Sequence, residues 1–120
     1  MSKPTLILGA SPNPERYSYL ATLRLNEAGH EVYPIGIKEG DIGDKRIITD
    51  RNFEKQVDTI SLYVGPKNQK DWFDLIFRCK PKRIIMNPGT ENPELWKMAE
   101  ERGIECLEAC TLVMLASKQY

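Results

Sequence analysis

Residues 7–18, ILGASPNPERYS, bring together a glycine, a serine and an arginine where an apolar run gives way to a helical pattern. Gly9 allows backbone atoms to approach a ligand closely, and Ser11 offers a hydroxyl group. The start of a helix presents unpaired N–H groups that favour an anion, and Arg16 adds positive charge there. This combination suits a phosphate group. An ordinary strand-to-helix turn explains it equally well, because one glycine is much weaker than a G-x-G-x-x-G motif.

Lys38 is the first charged residue at the end of the second apolar run, which reads YPIGIK. NAD-binding domains place an acidic side chain near this point to bind the ribose hydroxyls. A lysine suits a phosphorylated ribose instead, and its aliphatic stem can lie along an adenine. An ordinary solvent-exposed lysine in a loop explains Lys38 about equally well. The residue therefore disfavours NAD and leaves open nucleotides that carry a phosphate on the ribose.

Two more loops follow apolar runs, YVGPKN at residues 63–68 and MNPGTENP at residues 86–93. The Gly-Pro pair of the first loop permits close approach by a flat or extended ligand. In the second loop, Gly89 and Thr90 are placed to meet a pyrophosphate or an amide group. The need to turn the chain and cap a helix accounts for much of this composition.

The reactive residues do not form a catalytic pattern. His30, the only histidine, follows the first helix and begins the second strand, which places it at the opposite edge of the expected sheet. Cys110 lies just beyond the fifth strand, but no histidine is near it to activate the thiol. Glu91 is the best catalytic carboxylate, although a first-turn acidic residue looks the same. Cys106 and Cys110 lack further metal ligands. We therefore predict no catalytic residue and no metal site.

Five short apolar runs position these loops, centred on Leu6, Val32, Ile60, Ile85 and Cys106. Most are continuous, as strands covered on both faces should be. Helical patterns separate most of them, and this alternation predicts parallel strands joined by right-handed crossovers. We predict one α/β domain over residues 1–120, a Rossmann-like, three-layer α/β/α fold with a parallel sheet of about five strands. Ligands of such sheets bind outside the carboxyl ends of the strands, where the loops above lie.

The first two helices and the tail are predicted from apolar spacing. The first helix covers residues 17–28 and ends at Gly29, the second covers residues 67–79, and a last one follows Cys110. The residues expected to face inward are Tyr17, Leu20, Ala21, Leu25 and Ala28 in the first helix, Trp72, Phe73 and Ile76 in the second, and Leu112, Val113 and Leu115 in the last.

The third helix has the clearest boundaries. Asn92 is its expected N-cap, Pro93 occupies the first helical position, and Gly103 stops it. The polar segment at residues 38–56 reads as a loop, with a short helical turn expected at residues 52–55.

Composition excludes several classes of partner. The 120-residue chain balances 17 Lys and Arg against 17 Asp and Glu, so no whole-molecule field recruits nucleic acid or an anionic membrane. No apolar run approaches the roughly 20 residues that cross a bilayer, and the start MSKPTLIL lacks a signal-peptide core. The 3 cysteines match no zinc spacing and suit a reducing compartment. We expect a cytoplasmic protein that binds neither nucleic acid nor membrane.

Several short sequence motifs occur one after another along the chain. They are GAS followed by Pro14, Arg16 and Ser18, then G-H-x-V-x-P at residues 29–34, Val57 and Asp58, Gly89, A-E-x-x-G at residues 99–103, and Cys110. In this order they resemble the stand-alone CoA-binding domain family, which is similar to the CoA-binding N-terminal domain of the succinyl-CoA synthetase α subunit. The likeness covers essentially the whole chain. Two places differ: PIGIK, at Gly36, stands where many members have P-V-N-P, and IMNPG carries Asn87 in place of a glutamine.

The resemblance implies non-catalytic binding of coenzyme A or an acyl-CoA at the carboxyl edge of the sheet, for a sensor or a partner of another protein. The phosphorylated histidine of the synthetase belongs to a different domain, which a chain of this length is not expected to contain. The predicted cofactor-binding residues are Gly9, Ala10, Ser11, Arg16, Tyr17, Ser18, Ile37, Lys38, Tyr63, Val64, Pro66, Asn87, Pro88, Gly89 and Thr90.

The alternative is a small enzyme that uses NADP(H) or another nucleotide, because Lys38 suits a 2′-phosphate equally well. Dehydrogenases build their substrate sites from further segments. A second copy of the chain in a homodimer would complete such a site. For the CoA-binding interpretation, the expected partner is a second copy or an unknown protein.

Overall fold

The main sheet contains five parallel strands. In the computed structural model, which describes residues 2–120, they are β1 (Thr5–Leu8), β2 (Val32–Ile35), β5 (Thr59–Leu62), β6 (Arg83–Met86) and β7 (Glu105–Glu108). Their order across the sheet is β2-β1-β5-β6-β7. The predicted parallel sheet is therefore confirmed.

The order of the strands reverses beside β1. The chain first pairs β2 with β1, so that Leu6 lies opposite Tyr33, and then returns to pair β5 on the other side, where Leu6 lies opposite Ile60. Ligands of open α/β sheets bind where the strand order reverses, outside the carboxyl ends of the strands. The loops that follow β1 and β5 are thus the expected place for a ligand.

Helices cover both faces of the sheet. Because successive strand residues point to opposite faces, Leu6 packs with residues of α3 (Phe73–Arg78) and α4 (Pro93–Glu101). Ile7 packs on the other face with residues of α1 (Tyr17–Glu27) and α5 (Thr111–Ala116). This arrangement confirms the three-layer, Rossmann-like fold.

Two of the predicted inward faces are partly wrong. In α1 the buried residues are Ser18, Ala21, Thr22 and Leu25, whereas the Tyr17 side chain is 75% exposed. Ala28 is also exposed, at the cap that precedes Gly29. In α5 the buried Thr111 sets the inward direction, so Leu112 and Leu115 pack inward and Val113 is 62% exposed.

The predicted second helix consists of three short pieces. They are α2 (Pro66–Gln69), a 3₁₀ turn (Lys70–Trp72) and α3. The buried Gln69 side chain donates to the backbone oxygens of Val64 and Thr90 at 2.8 and 2.7 Å, which holds this segment against two loops of the carboxyl edge. The expected inward residues Trp72, Phe73 and Ile76 are buried.

The polar segment between β2 and β5 contains a small antiparallel hairpin, β3 (Asp41–Ile42) and β4 (Lys45–Arg46), instead of a simple loop. Its turn uses Gly43, whose φ is +60°, and Ile42 is fully buried beneath it. The helical turn expected at residues 52–55 is absent from the described chain. Phe53 instead packs against the Tyr33 ring, with 5.3 Å between the ring centres.

The boundaries of α4 agree with the sequence. Asn92 caps the helix by accepting a hydrogen bond from the Glu94 N–H at 3.0 Å, Pro93 follows, and Gly103 adopts a φ of +73° after the last turn. Of the helices within residues 2–120, none is long and apolar enough to cross a bilayer.

Candidate ligand-binding cleft

A cleft of about 710 Å³ opens at the carboxyl edge of the sheet, beside the reversal in strand order. Small-molecule sites usually measure roughly 300–1,000 Å³. All of the predicted cofactor-binding residues line this cleft except Pro66 and Asn87. The topology therefore brings together loops that are far apart in the sequence.

The loop after β1 forms the floor of the cleft. Gly9 has a φ of +100°, and a Cβ there would lie 3.0 Å from the Tyr63 backbone carbon. The N–H groups of Gly9 and Ala10 both donate to the Ile35 oxygen, at 2.9 and 2.8 Å. The sequence predicts this glycine as a point of close ligand approach; it does line the cleft, and its other close neighbour is the backbone at the end of β5. The floor is thus fixed by packing between strands.

The start of α1 supplies unpaired donors to the cleft. The N–H groups of Tyr17 and Ser18 have no hydrogen-bond acceptor within residues 2–120. Arg16 occupies the N-cap position without a side-chain cap, and no acidic residue stands in the first turn. Ser11 Oγ accepts from the Asn13 N–H at 3.1 Å, which holds the loop in place. This helix end is open to an anion.

The end of β2 approaches the first loop very closely. A Cβ on Gly36 would lie 2.2 Å from the Ala10 carbonyl oxygen, so a side chain at this position would displace the floor of the cleft. The next residues, Ile37 and Lys38, are exposed and line the rim, and the Ile37 side chain is 74% exposed. Tyr17 and Ile37 give the rim apolar surface that a flat ring can contact.

Asn87 has a structural role below the cleft. Its buried side chain donates to Ser61 Oγ at 3.0 Å and to the Leu62 oxygen at 2.9 Å, and its Oδ1 accepts from the Thr111 N–H at 2.8 Å. The amide thus joins β5, β6 and the start of α5. The structure does not bring it to the cleft surface, because these three partners use its polar atoms.

Pro66 also lies outside the cleft lining. It occupies the first position of α2, where its fixed φ suits a helix and its missing N–H removes no helical hydrogen bond. The loop after β6 does reach the cleft through Pro88, Gly89 and Thr90. The Thr90 hydroxyl donates to the Asn87 oxygen at 2.7 Å, so this group is already bonded within the loop.

The predicted set omitted several lining residues, which come from four different segments: Pro12, Gly36, Arg51, Gly65, Asn68, Asp71 and Trp72. A helix that begins at Pro66 does place Asn68, Asp71 and Trp72 near the same edge, since they are three and four residues apart. Arg51 follows a hairpin that the sequence did not reveal, so nothing pointed to it.

The cleft is positively charged although the whole chain is neutral. Arg16, Lys38 and Arg51 line it, and Asp71 is the one carboxylate in the described lining. None of these three cations belongs to an ion pair within residues 2–120. Clefts lined by one sign of charge concentrate ligands of the opposite sign.

The family model for the CoA binding domain matches residues 3–116. The chain belongs to this family. The resemblance deduced from the sequence motifs is therefore confirmed. The donor set of the cleft fits such a cofactor, because open helix N–H groups and unpaired cations are groups that bind phosphates.

Solved structures share the fold of this chain. One, called an uncharacterized protein, is 48% identical, has a TM-score of 0.96, and matches over 100% of this chain and 99% of its own. A conserved hypothetical protein from Pyrococcus furiosus is 26% identical, with a TM-score of 0.79 over 92% of this chain and 97% of its own. A hypothetical protein from Pyrococcus horikoshii, 24% identical with a TM-score of 0.84 over 98% of this chain and 84% of its own, supports the fold alone. No curated protein matches the chain.

The three candidate reactive residues, His30, Cys110 and Glu91, do not line the cleft of this CoA binding domain. His30 lies at the amino edge, where its Nδ1 accepts from the Lys3 N–H at 3.0 Å. Cys110 precedes α5 and does not line the cleft. Burial raises the pKa of Tyr63 to about 12, so its phenol stays protonated near neutral pH. Glu91 accepts from the Gly89 N–H at 3.0 Å. No group of residues within 2–120 is arranged to hold a metal ion.

Proposed function

We propose that the cleft binds coenzyme A or an acyl-CoA. The observation that carries this proposal is the set of unpaired cations and free helix N–H groups that line one cleft of a CoA binding domain. The pyrophosphate is assigned to the start of α1, beside Arg16, because N–H groups and positive charge coincide there. The phosphate on the ribose is assigned to the end of β2, beside Lys38.

The apolar parts of the cofactor have matching surface. Tyr17 and Ile37 are both well exposed on the rim, and exposed apolar side chains of this size are suitable contacts for an adenine ring. The backbone at Gly65 and Gly89 leaves open space, since a Cβ built on either residue meets no atom within 4 Å. We assign the extended pantetheine arm to this side of the cleft.

We further propose that the protein binds its ligand without transforming it. A general acid or base must lie within hydrogen-bond reach of the substrate. His30 lies at the opposite edge, and the Thr90 hydroxyl is bonded to the backbone. A sensor, or a partner that presents the cofactor to another protein, is consistent with this arrangement. The free cysteines support a reducing, cytoplasmic location.

Binding of NADP(H) by an enzyme with a dimer-completed site is the second candidate. The cations at the end of β2 favour any nucleotide with a phosphorylated ribose, including one phosphorylated at the 2′ position. The two candidates differ in which nucleotide binds.

Calorimetric titration with CoA, acetyl-CoA and NADPH tests the proposal. We expect CoA and acetyl-CoA to bind, and Arg16→Ala to weaken CoA binding by about tenfold, since a hydrogen bond to a charged group is worth roughly 1.5–3 kcal/mol. Arg24→Ala is the matched control, because Arg24 lies on the same helix outside the cleft and pairs with Glu27. Binding of NADPH but not of CoA would favour the second candidate and overturn the first.

A further inference from the structure

Arg51 is an exposed cation whose position is set by the core. Its guanidinium carbon lies 4.0 Å from the centre of the Trp72 ring, and both residues line the cleft. The Trp72 side chain is only 4% exposed, so the guanidinium rests on a fixed aromatic surface. The Arg51 guanidinium donates to no acceptor within residues 2–120, so its N–H groups remain free to bind an oxyanion while its carbon lies over the ring.

The backbone at Arg51 is held as firmly as its side chain. Arg78 donates from its guanidinium to the Arg51 oxygen at 2.5 Å and to the Phe53 oxygen at 3.2 Å. The Phe53 ring packs against Tyr33 of β2. The segment from Arg51 to Phe53 is therefore held both by α3, through Arg78, and by β2, through Tyr33, which reduces the conformational entropy that Arg51 would lose on binding a ligand.

Arg51 and Lys38 are close to the same point on β2. The Gly36 N–H donates to the Ile48 oxygen at 3.1 Å, and Ile35 forms an isolated bridge with Ile48. Lys38 follows Gly36 by two residues and Arg51 follows Ile48 by three. The two cations thus follow two residues that are bridged to each other, and both line the same cleft. Arg16 belongs to α1, which packs on the opposite face from Trp72.

The cations of the cleft are therefore carried by two parts of the fold. Arg16 stands at the start of α1, whereas Lys38 follows the end of β2 and Arg51 follows Ile48, which is bridged to β2. From this separation, and resting on the proposed function, we infer that Arg51 reads the phosphate on the ribose of the ligand and makes the site select CoA over dephospho-CoA. Arg51 is then a specificity residue, and its planar fork makes paired hydrogen bonds to the phosphate that Lys38 supports as a point charge.

The test compares the affinities of CoA and dephospho-CoA, by calorimetry, in the wild-type protein and in variants. We expect the wild type to prefer CoA by at least about tenfold, as charge-assisted hydrogen bonds to one phosphate imply. Arg51→Gln should reduce this preference to about threefold or less, the level that Lys38 alone supports. Arg51→Lys should fall between them, because it keeps the charge and loses the fork. Affinity for dephospho-CoA should stay unchanged in both variants.

Arg102→Gln is the matched control. Arg102 also stacks on an aromatic ring, with its guanidinium carbon 4.3 Å from the centre of Phe77, but it does not line the cleft. It should keep the wild-type preference. If the wild type binds CoA and Arg51→Gln keeps the full preference, the role of Arg51 is wrong and the proposed function stands. If the wild type binds both nucleotides equally, the inference also fails. If the wild type binds neither CoA nor dephospho-CoA, the proposed function and the role of Arg51 are both wrong.

Discussion

At the amino edge of the sheet, Lys3 and Arg83 have hydrogen-bond acceptors within residues 2–120, whereas the side chains of the three cations that line the cleft at the carboxyl edge have none. At the amino edge, Lys3 Nζ donates to the backbone oxygen of Tyr120 at 2.5 Å, and Arg83 Nε donates to Thr59 Oγ1 at 2.7 Å. The Arg83 guanidinium carbon also lies 4.5 Å from the centre of the Tyr120 ring, and Tyr120 OH and Thr5 Oγ1 share a hydrogen bond. At this edge the polar groups are hydrogen-bonded to one another.

At the carboxyl edge the cations are left open. Arg16, Lys38 and Arg51 have no ion-pair partner in the described residues, although all three line one cleft. A cation whose hydrogen bonds are met within the protein adds to the free energy of unfolding, whereas an unpaired cation in a cleft is free to add to ligand affinity. The difference predicts that substitutions at the two edges have separable effects.

The largest expected effect comes from closing the cleft itself with Gly36→Ala. The added Cβ meets the Ala10 carbonyl oxygen, so the loop after β1 must move. Overpacking of this kind costs about 3 kcal/mol of the free energy of unfolding, and ligand binding should be lost with it. Urea denaturation and calorimetric titration measure the two effects. Gly65→Ala is the stability control, because a Cβ there meets nothing within 4 Å. Equal stability of the two variants would contradict this account.

Asn87→Ala tests whether the carboxyl edge also contains a purely structural layer. The substitution removes the acceptor of the Thr111 N–H and a donor to the Leu62 oxygen, while the Ser61 hydroxyl keeps its bond to Thr111 Oγ1. Loss of buried hydrogen bonds should lower the free energy of unfolding by about 2 kcal/mol. The affinity for CoA should change little in protein that remains folded. A large loss of affinity without a loss of stability would instead show that Asn87 contributes directly to ligand binding.

Arg83→Ala tests whether a cation of the amino edge contributes to stability and not to ligand affinity. It removes the hydrogen bond to Thr59 and the contact with the Tyr120 ring, so the free energy of unfolding should fall by about 1.5 kcal/mol. The affinity for CoA should be unchanged, which is the reverse of the result expected for Arg16→Ala. If both arginines affected stability and affinity together, the two edges would not be independent.

The parts of the fold that the sequence predicts are those that depend on local patterns. Most of the five strands are apolar runs bounded by Gly or Pro, and the ends of α4 are marked by Asn92, Pro93 and Gly103. The hairpin of β3 and β4 was missed because each strand has only two residues. Burial of Ile42 and Ile47 against α1, a tertiary contact, stabilises it.

The candidate cleft, too, was predictable only where it depends on local sequence patterns. Loops after strands are identifiable from the strand pattern, so most of the lining was predicted. Arg51 and Trp72 meet only because an unpredicted hairpin brings the first beside the second. Asn87 looked like a site residue because a polar side chain after a strand has the same sequence pattern whether it faces solvent or a buried network.

The smallest expected effect is a pH dependence at the amino edge. Partial burial, and then the positive charge of Lys3, lowers the pKa of His30 below its usual 6.5, with Arg83 acting in the same direction and Asp58 opposing it. The unfolded chain therefore binds a proton more readily than the folded one as the pH falls through 6.5, and stability is lost over that interval. Above about pH 7.5 both states hold a neutral imidazole and this contribution is constant.

Urea denaturation of the wild type and His30→Asn between pH 5 and pH 8 measures this contribution. The wild type should lose more stability than the variant on acidification, because only it carries the imidazole that must be protonated. Since Lys3 and Arg83 are held at this edge by Tyr120, their field acts on His30 whether or not a ligand occupies the cleft. The slope should thus be the same with and without CoA. A slope that changed when CoA bound would show that the two edges are coupled through the sheet.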